Sequence, residues 1–299
     1  MTERPREDGP PRRSEPEAAR VGIRKTWKLF VGGAFVRGES GRYRPLGGGE
    51  TCPLASRKDL RDAVRAAAEA SARWSRTSAL LRGQILYRLA EVLEARRAEL
   101  SAQLAAGGAP APPRELDLAI DRVVSFAGWA DKLSLLASTV NPVAGPYLSV
   151  SQPEPIGVVG LVAPGRPALL GLVGTLCPLI AAGNVAVVVA GEPDPRTALA
   201  FAECVATSDV PPGVVQVLTG DRAELVPVLA RHLGVRGLDV WDASEADARE
   251  LEQLAADGMK RVAFRSWAVS AFEDARRASS PAMLERFVET KTLWHPLGA

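Results

Sequence analysis

The chain has 299 residues, with 37 Lys and Arg against 35 Asp and Glu, 46% hydrophobic and 24% charged residues, which excludes a largely disordered protein. A net charge of +2 is too small to gather nucleic acid or an anionic membrane surface, since both demand clustered Lys and Arg. Three cysteines without CxxC spacing and two isolated histidines, His232 and His295, exclude a disulfide framework and a structural zinc site.

Residues 1–25 are rich in Pro, Arg and Glu with little to bury, and read as a disordered tail. Glu3, Glu7, Asp8, Glu15 and Glu17 argue against a mitochondrial presequence, which avoids acids. With no apolar signal core and no run approaching a membrane span, the expected location is the cytoplasm.

Lys28 to Gly38 places two short apolar runs around Gly32-Gly33, the composition of a hairpin. Ser56 and Asp59 stand at capping-box spacing before Leu60, Val64, Ala67, Ala68 and Trp74 at helical intervals. A second helical stripe runs from Leu80 to Leu104 through Ile85, Leu86, Leu89, Val92, Leu93 and Leu100. Gly and Pro between Gly107 and Pro113 separate it from a third helix over Arg114 to Ala137, carrying Leu118, Val123, Phe126 and Trp129.

From Ile156 the rhythm changes to short apolar runs alternating with helices: IGVVGLVA, NVAVVVA, VVQVL, GLDVW and KRVAF. Continuous apolar strands separated by helices predict an α/β fold with a parallel sheet covered on both faces. Phe287 to Trp294 alternates, with Val288, Thr290, Thr292 and Trp294 on one face, and predicts a last strand after a short helix over Pro281 to Arg286.

Several strings together are more specific than any periodicity. Trp27-Lys-Leu-Phe-Val-Gly-Gly, Ala72-Arg-Trp-Ser with Arg82-Gly-Gln-Ile-Leu-Tyr-Arg-Leu-Ala, Glu154-Pro-Ile-Gly-Val-Val-Gly, Ala181-Ala-Gly-Asn and Val210-Pro-Pro-Gly-Val-Val-Gln-Val-Leu-Thr-Gly stand in order and at sensible spacing. This set resembles the aldehyde dehydrogenase superfamily over about residues 25–265 and the last strand. The resemblance implies a Rossmann-like NAD(P) domain with flanking helices, an N-terminal helical region, a small oligomerisation β-sheet and a separate domain bearing a cysteine nucleophile. The implied chemistry is thiolate attack on an aldehyde, hydride transfer to NAD(P)+ and hydrolysis of the thioester. On this basis the chain divides into the tail, a hairpin and helices at 26–139, oligomerisation strands at 140–155, a Rossmann-like cofactor-type domain at 156–270, and a residual helix with a C-terminal oligomerisation strand at 271–299.

The positions that would carry the chemistry depart from the family pattern. Where the family has Trp-Asn-Phe-Pro this chain reads Gly165-Arg166-Pro167-Ala168, so Arg166 replaces the amide that stabilises the oxyanion. Val189 replaces the lysine that contacts the adenosine ribose, and Glu192 is the vestige of that cofactor-binding pair. The Gly-Ser-Thr-Glu-Val-Gly helix start beneath the pyrophosphate reads Asp242-Ala-Ser-Glu-Ala-Asp247. Its acids suit helix capping and repel phosphate by about 1 kcal/mol per close pair in water. Arg265 stands at the general-base position, and an arginine does not give up its proton near neutrality. Residues 266–299 remain after it, whereas a separate catalytic domain takes on the order of 100 residues.

Cys177 and Cys204 fall in apolar helical stretches and read as buried, and Cys52 falls in a Gly-rich connection, so no catalytic residue is assigned. The leading expectation is a catalytically silent subunit or regulator of a complete aldehyde dehydrogenase, with no NAD(P) bound tightly and no metal. Its partner would be a full-length homologue, or a second copy, held through Tyr147 to Pro153 and Phe287 to Trp294; neither nucleic acid nor membrane is a partner. The alternative is NAD(P)-dependent aldehyde oxidation with residues from a partner, and a remnant or a stand-alone nucleotide binder is the third reading.

Overall fold

The computed structural model describes residues 25–192 and 194–298, so the expected tail lies outside the described residues except for Lys25. Lys25 is not tail-like: its Nζ lies 3.3 Å from Glu99 and 2.9 Å from Glu203, and 4.3 Å from the centre of the Trp27 ring. Strands β1 (Leu29–Val31) and β2 (Ala34–Val36) form the expected hairpin. Gly32 and Gly33 turn it at φ 63° and 84°, and a Cβ on Gly33 would also strike Pro212.

A second small hairpin, β3 (Tyr43–Pro45) with β4 (Thr51–Pro53), escaped the pattern reading because its strands are short and polar. It corrects the place given to Cys52, which lies on β4 and is buried. Helix α1 (Arg57–Arg76) starts with the capping box: Ser56 Oγ accepts from Asp59 N at 3.3 Å and Asp59 Oδ2 from Ser56 N at 2.8 Å.

The single helix expected from Leu80 to Leu104 is two, α2 (Ala79–Ala95) and α3 (Arg97–Ala106). Arg96 sits between them at φ −100°, ψ 19°, its guanidinium held by Glu99 at 2.7 Å and by Glu203 of a distant helix at 2.6 Å. The expected third helix also divides, into α4 (Pro112–Ala130) and α5 (Leu133–Ala137). The apolar stripe continues across the break through Leu133, which is buried, and Ala137, while Leu135 and Leu136 of α5 face solvent.

After β5 (Thr139–Asn141) and β6 (Tyr147–Pro155) the alternating unit begins. It runs β7 (Val158–Val162), α6 (Ala168–Ala181), β8 (Val185–Val189), α7 (Arg196–Ala206), β9 (Val215–Leu218), α8 (Arg222–Arg231), β10 (Gly237–Trp241), α9 (Glu245–Ala256) and β11 (Arg261–Arg265). The main sheet has the order β11-β10-β7-β8-β9-β1-β2. The first five strands are parallel; β1 adds antiparallel to β9 through Phe30 opposite Val217, and β2 is the edge strand beyond it. Strands β7 to β10 are buried throughout, as a sheet covered by helices on both faces requires. The direction of strand addition reverses between β7 and β10, which makes their carboxyl ends the topological switch point.

Residues 266–287 carry three short helices, α10 (Val269–Glu273), α11 (Ala275–Ala278) and α12 (Ala282–Glu285), across α4 and α6. Phe272, Met283, Leu284 and Phe287 are buried beneath this strap. Arg122 Nη2 donates to Phe272 O at 2.8 Å and Trp129 Nε1 to Ser279 O at 2.9 Å. The strap delivers β12 (Val288–Pro296) to β6, with Val288 opposite Pro155 and Pro296 opposite Tyr147, completing a three-stranded antiparallel sheet β12-β6-β5. Among the described residues no helix is long and apolar enough to cross a membrane.

Candidate functional site at the carboxyl edge of the sheet

In an open α/β sheet, ligands bind outside the carboxyl ends of the strands, where helix N-termini offer free N–H groups and a positive dipole end to an anion. Four helices start at this edge, and each start is occupied by the chain's own side chains, three of them acids. Glu115 Oε1 accepts from Leu169 N at 2.7 Å and Leu170 N at 3.3 Å at the head of α6. Asp194 Oδ1 accepts from Arg196 N at 3.0 Å on α7, and Asp221 Oδ1 from Ala223 N at 2.9 Å on α8. On α9 the cap is Ser244, whose Oγ accepts from Asp247 N at 3.1 Å and donates to Asp247 Oδ2 at 2.7 Å.

The six-residue segment read from sequence as capping acids thus divides its work. Asp242 stands before the cap at φ 58°, the left-handed conformation that suits the glycine expected there. Its Oδ2 accepts from Gly165 N at 3.2 Å and its Oδ1 from Ser266 Oγ at 3.2 Å, tying the loop after β7 to the loops after β10 and β11. Arg222 closes the same gap from α8, donating through Nη2 to Ala163 O and through Nη1 to Trp241 O at 3.3 Å. The loops after β7 and β8 press together as well: a Cβ on Gly165 would run into Glu192 O, and one on Gly191 into Pro164 O.

Each position singled out in the sequence has a structural partner here. Arg166 turns away from the sheet edge and donates from Nη2 to Gly107 O at 2.5 Å, past the end of α3. Val189 is fully buried on β8, with no path to a ribose. Glu192 is ion-paired with Arg44 of the β3–β4 hairpin at 3.0 Å. Arg265 Nε donates to Asp239 Oδ1 at 3.1 Å across β10 and β11, and Asp239 is 1% exposed.

Burial pushes the Asp239 carboxyl up to about 6 despite the neighbouring guanidinium. Burial also raises the three thiols, Cys52 and Cys204 to about 11 and Cys177 to about 12, so none is a thiolate near neutrality. Among the described residues no group of three or more His, Cys, Asp and Glu is placed to hold a metal.

Sequence reasoning missed Glu115, Asp239 and Arg222 as members of this region. Asp239 carried a signal, a lone acid within the apolar run GLDVW. Glu115 and Arg222 carried none, because their partners are backbone groups 54 and 59 residues away.

Residues 49–272 match the model of the aldehyde dehydrogenase family, and the chain belongs to that family. Human cytosolic 10-formyltetrahydrofolate dehydrogenase is 32% identical over 253 residues, which cover 80% of this chain and 28% of that protein. Human retinal dehydrogenase 2 is 30% identical over 251 residues, 80% of this chain and 48% of that protein. The solved structure of PnpE from Pseudomonas sp. WBC-3 in complex with nicotinamide adenine dinucleotide is 28% identical with a TM-score of 0.75, covering 80% of this chain and 50% of that one. HpcC from Thermus thermophilus is 26% identical with a TM-score of 0.75, covering 80% of this chain and 48% of that one. The chain therefore spans about half the length of these relatives, and less of the formyltetrahydrofolate enzyme.

The family's dinucleotide can be tested against these residues. A pyrophosphate needs an open helix N-terminus, and the four available ones carry carboxylates or a satisfied cap. A ribose needs a free carboxylate, and Glu192 is engaged by Arg44. At this edge the helix starts and the Glu192 carboxylate are therefore engaged by the chain's own groups.

Proposed function

We propose that this family member is catalytically silent and acts as a subunit or regulator of a complete aldehyde dehydrogenase. The observation that carries the reading is the buried Asp239–Arg265 pair, which puts a fixed cation and its counter-ion where the family resemblance calls for a general base. The three high thiols and the self-capped helix starts support it, since nucleophile and cofactor site would both have to be rebuilt. NAD(P) binds weakly on this reading, because several hydrogen bonds to charged groups, each worth roughly 1.5–3 kcal/mol, are lost.

The docking element in this proposal is the three-stranded sheet, and the cytoplasm is its setting. Strand β12 presents an edge of open backbone groups, and Leu293 and Trp294 on it are 50% and 61% exposed. Such an edge is an aggregation hazard unless another strand covers it, and a full-length homologue or a second copy of this chain can do so. The test is purification and incubation with acetaldehyde or benzaldehyde and NAD+ or NADP+, followed by light scattering alone and with a complete homologue from the same cell. The expected result is no reduced cofactor and a mixed assembly. Turnover above the blank that one Cys→Ala change abolishes, or a monomer that ignores the homologue, overturns the reading.

A further inference from the structure

The opposite end of the main sheet gathers cations. At the amino ends of β10 and β11, Gly237 stands opposite Arg261 and Arg236 O accepts from Arg261 N at 3.2 Å, which sets Arg236 and Lys260 side by side. Arg236 N donates to Val158 O at 2.8 Å, so its backbone is fixed against β7. His232 joins them from the end of α8. Its Nδ1 accepts from Gly234 N at 3.1 Å, which puts the proton of the neutral ring on Nε2, a donor without a partner among the described residues. A Cβ on Gly234 would lie 3.1 Å from Val64 Cγ1 and 3.2 Å from the His232 ring, so the imidazole sits close to α1, where Arg61 precedes Val64 by one turn.

Among the described residues Arg61, Arg236 and Lys260 take part in no ion pair, and the Lys260 Nζ is buried with no acceptor. The basic groups act on one another instead. Burial first, and then Arg236, hold the Lys260 ammonium below the ordinary lysine value, and Asp257, the carboxylate that acts on it, offsets only part of this. Burial, and then Lys260 and Arg61, hold the His232 imidazole below its ordinary value. Segments far apart in the chain thus bring four basic groups together around one carboxylate. A bound anion removes their mutual repulsion and supplies the acceptor that Lys260 lacks.

We propose that Arg61, His232, Arg236 and Lys260 bind a phosphate group, carried as inorganic phosphate or as a phosphomonoester. A phosphate offers at least three oxygens at tetrahedral angles, enough to accept from Lys260 Nζ, His232 Nε2 and a guanidinium together, whereas a carboxylate offers two in one plane. The site lies at the amino ends of the strands, across the sheet from the helix starts of the carboxyl edge, so it is independent of catalytic silence.

The chain has two histidines, His232 in the cluster and His295 on β12, so proton NMR of the imidazole C2 protons of the full chain reads the site directly. The probes, at pH 7 and constant sodium chloride, are inorganic phosphate, glycerol phosphate and acetate. The expected result is that phosphate moves the His232 resonance saturably toward its protonated position, because an anion beside the ring favours its charge, while the His295 resonance does not follow. Tighter binding of glycerol phosphate assigns the site to an esterified ligand and tighter binding of inorganic phosphate to the free ion, and either order supports the proposal. Arg61→Gln and Arg236→Gln, both at exposed positions and on different segments, should each raise the phosphate Kd about tenfold at an unchanged melting temperature. The proposal is overturned if His232 gives no saturable response to either phosphate, if acetate moves it as far at the same concentration, or if either variant binds phosphate unchanged.

Discussion

The two sheets of this protein treat their polar groups in opposite ways. At the carboxyl edge of the main sheet the backbone donors of four helix starts are satisfied from within, by Glu115, Asp194, Asp221 and Ser244, and Arg222 and Asp242 lace the loops across the switch point. In the three-stranded sheet Ser149, Ser151, Asn141 and Thr292 bond to one another at the centre, while Val140, Leu148, Leu293 and Trp294 stay open to solvent. The first edge is closed by the chain's own side chains, whereas the second sheet leaves its apolar side chains exposed. The difference teaches that one chain can spend its polar side chains on internal bonds at one sheet edge and leave another sheet open to solvent.

The most severe way to break the contrast is Arg265→Glu, which restores the family's acid at the general-base position. It places a second carboxylate against buried Asp239 and removes the counter-ion, so a loss of about 3–5 kcal/mol in denaturant unfolding and no gain in turnover are expected. A stable variant that oxidises an aldehyde would show that the edge is only one residue from function.

A milder change sharpens the same point through pH. The Asp239 carboxyl is raised in the fold to about 6 from an ordinary value of 3.8, so between these values the folded state holds a proton that the unfolded state has released. The stabilisation from this group is complete below pH 4 and is lost as pH rises through 6, with a slope of at most about 1.4 kcal/mol per pH unit. Asp239→Asn should flatten that slope in urea unfolding followed from pH 4 to 7. An unchanged slope would place the titration elsewhere.

The smallest effect on folding is expected at the other sheet. A chain ending at Glu289 lacks most of β12 but keeps Phe287, which is fully buried and whose carbonyl accepts from Asn184 Nδ2 at 2.9 Å and from Ile156 N at 3.3 Å. Its unfolding free energy should fall by no more than about 1 kcal/mol, because the removed residues are exposed, while association with a homologue is lost. A collapse of the whole fold would mean that the two sheets are not separable in the way the contrast requires.

The sequence by itself determined the α/β class, the five parallel strands, the capping box at Ser56 and Asp59 and the family, because these rest on local periodicity and short strings. It also marked Arg166, Arg265 and Val189 as departures from the family pattern and Glu192 as what is kept of it, since single positions within a recognisable string can be read one at a time. Tertiary structure decided the rest. Arg96 breaks a continuous helical stripe because Glu203 on α7 holds its guanidinium, a partner invisible to any window along the chain. The β3–β4 hairpin, the strap over α4 and α6, and the pairing of Arg265 with Asp239, Glu192 with Arg44 and Glu115 with the head of α6 were settled in the same way. Hydrogen bonds and ion pairs form between groups that the fold brings within about 3 Å, and sequence separation carries no information about that distance.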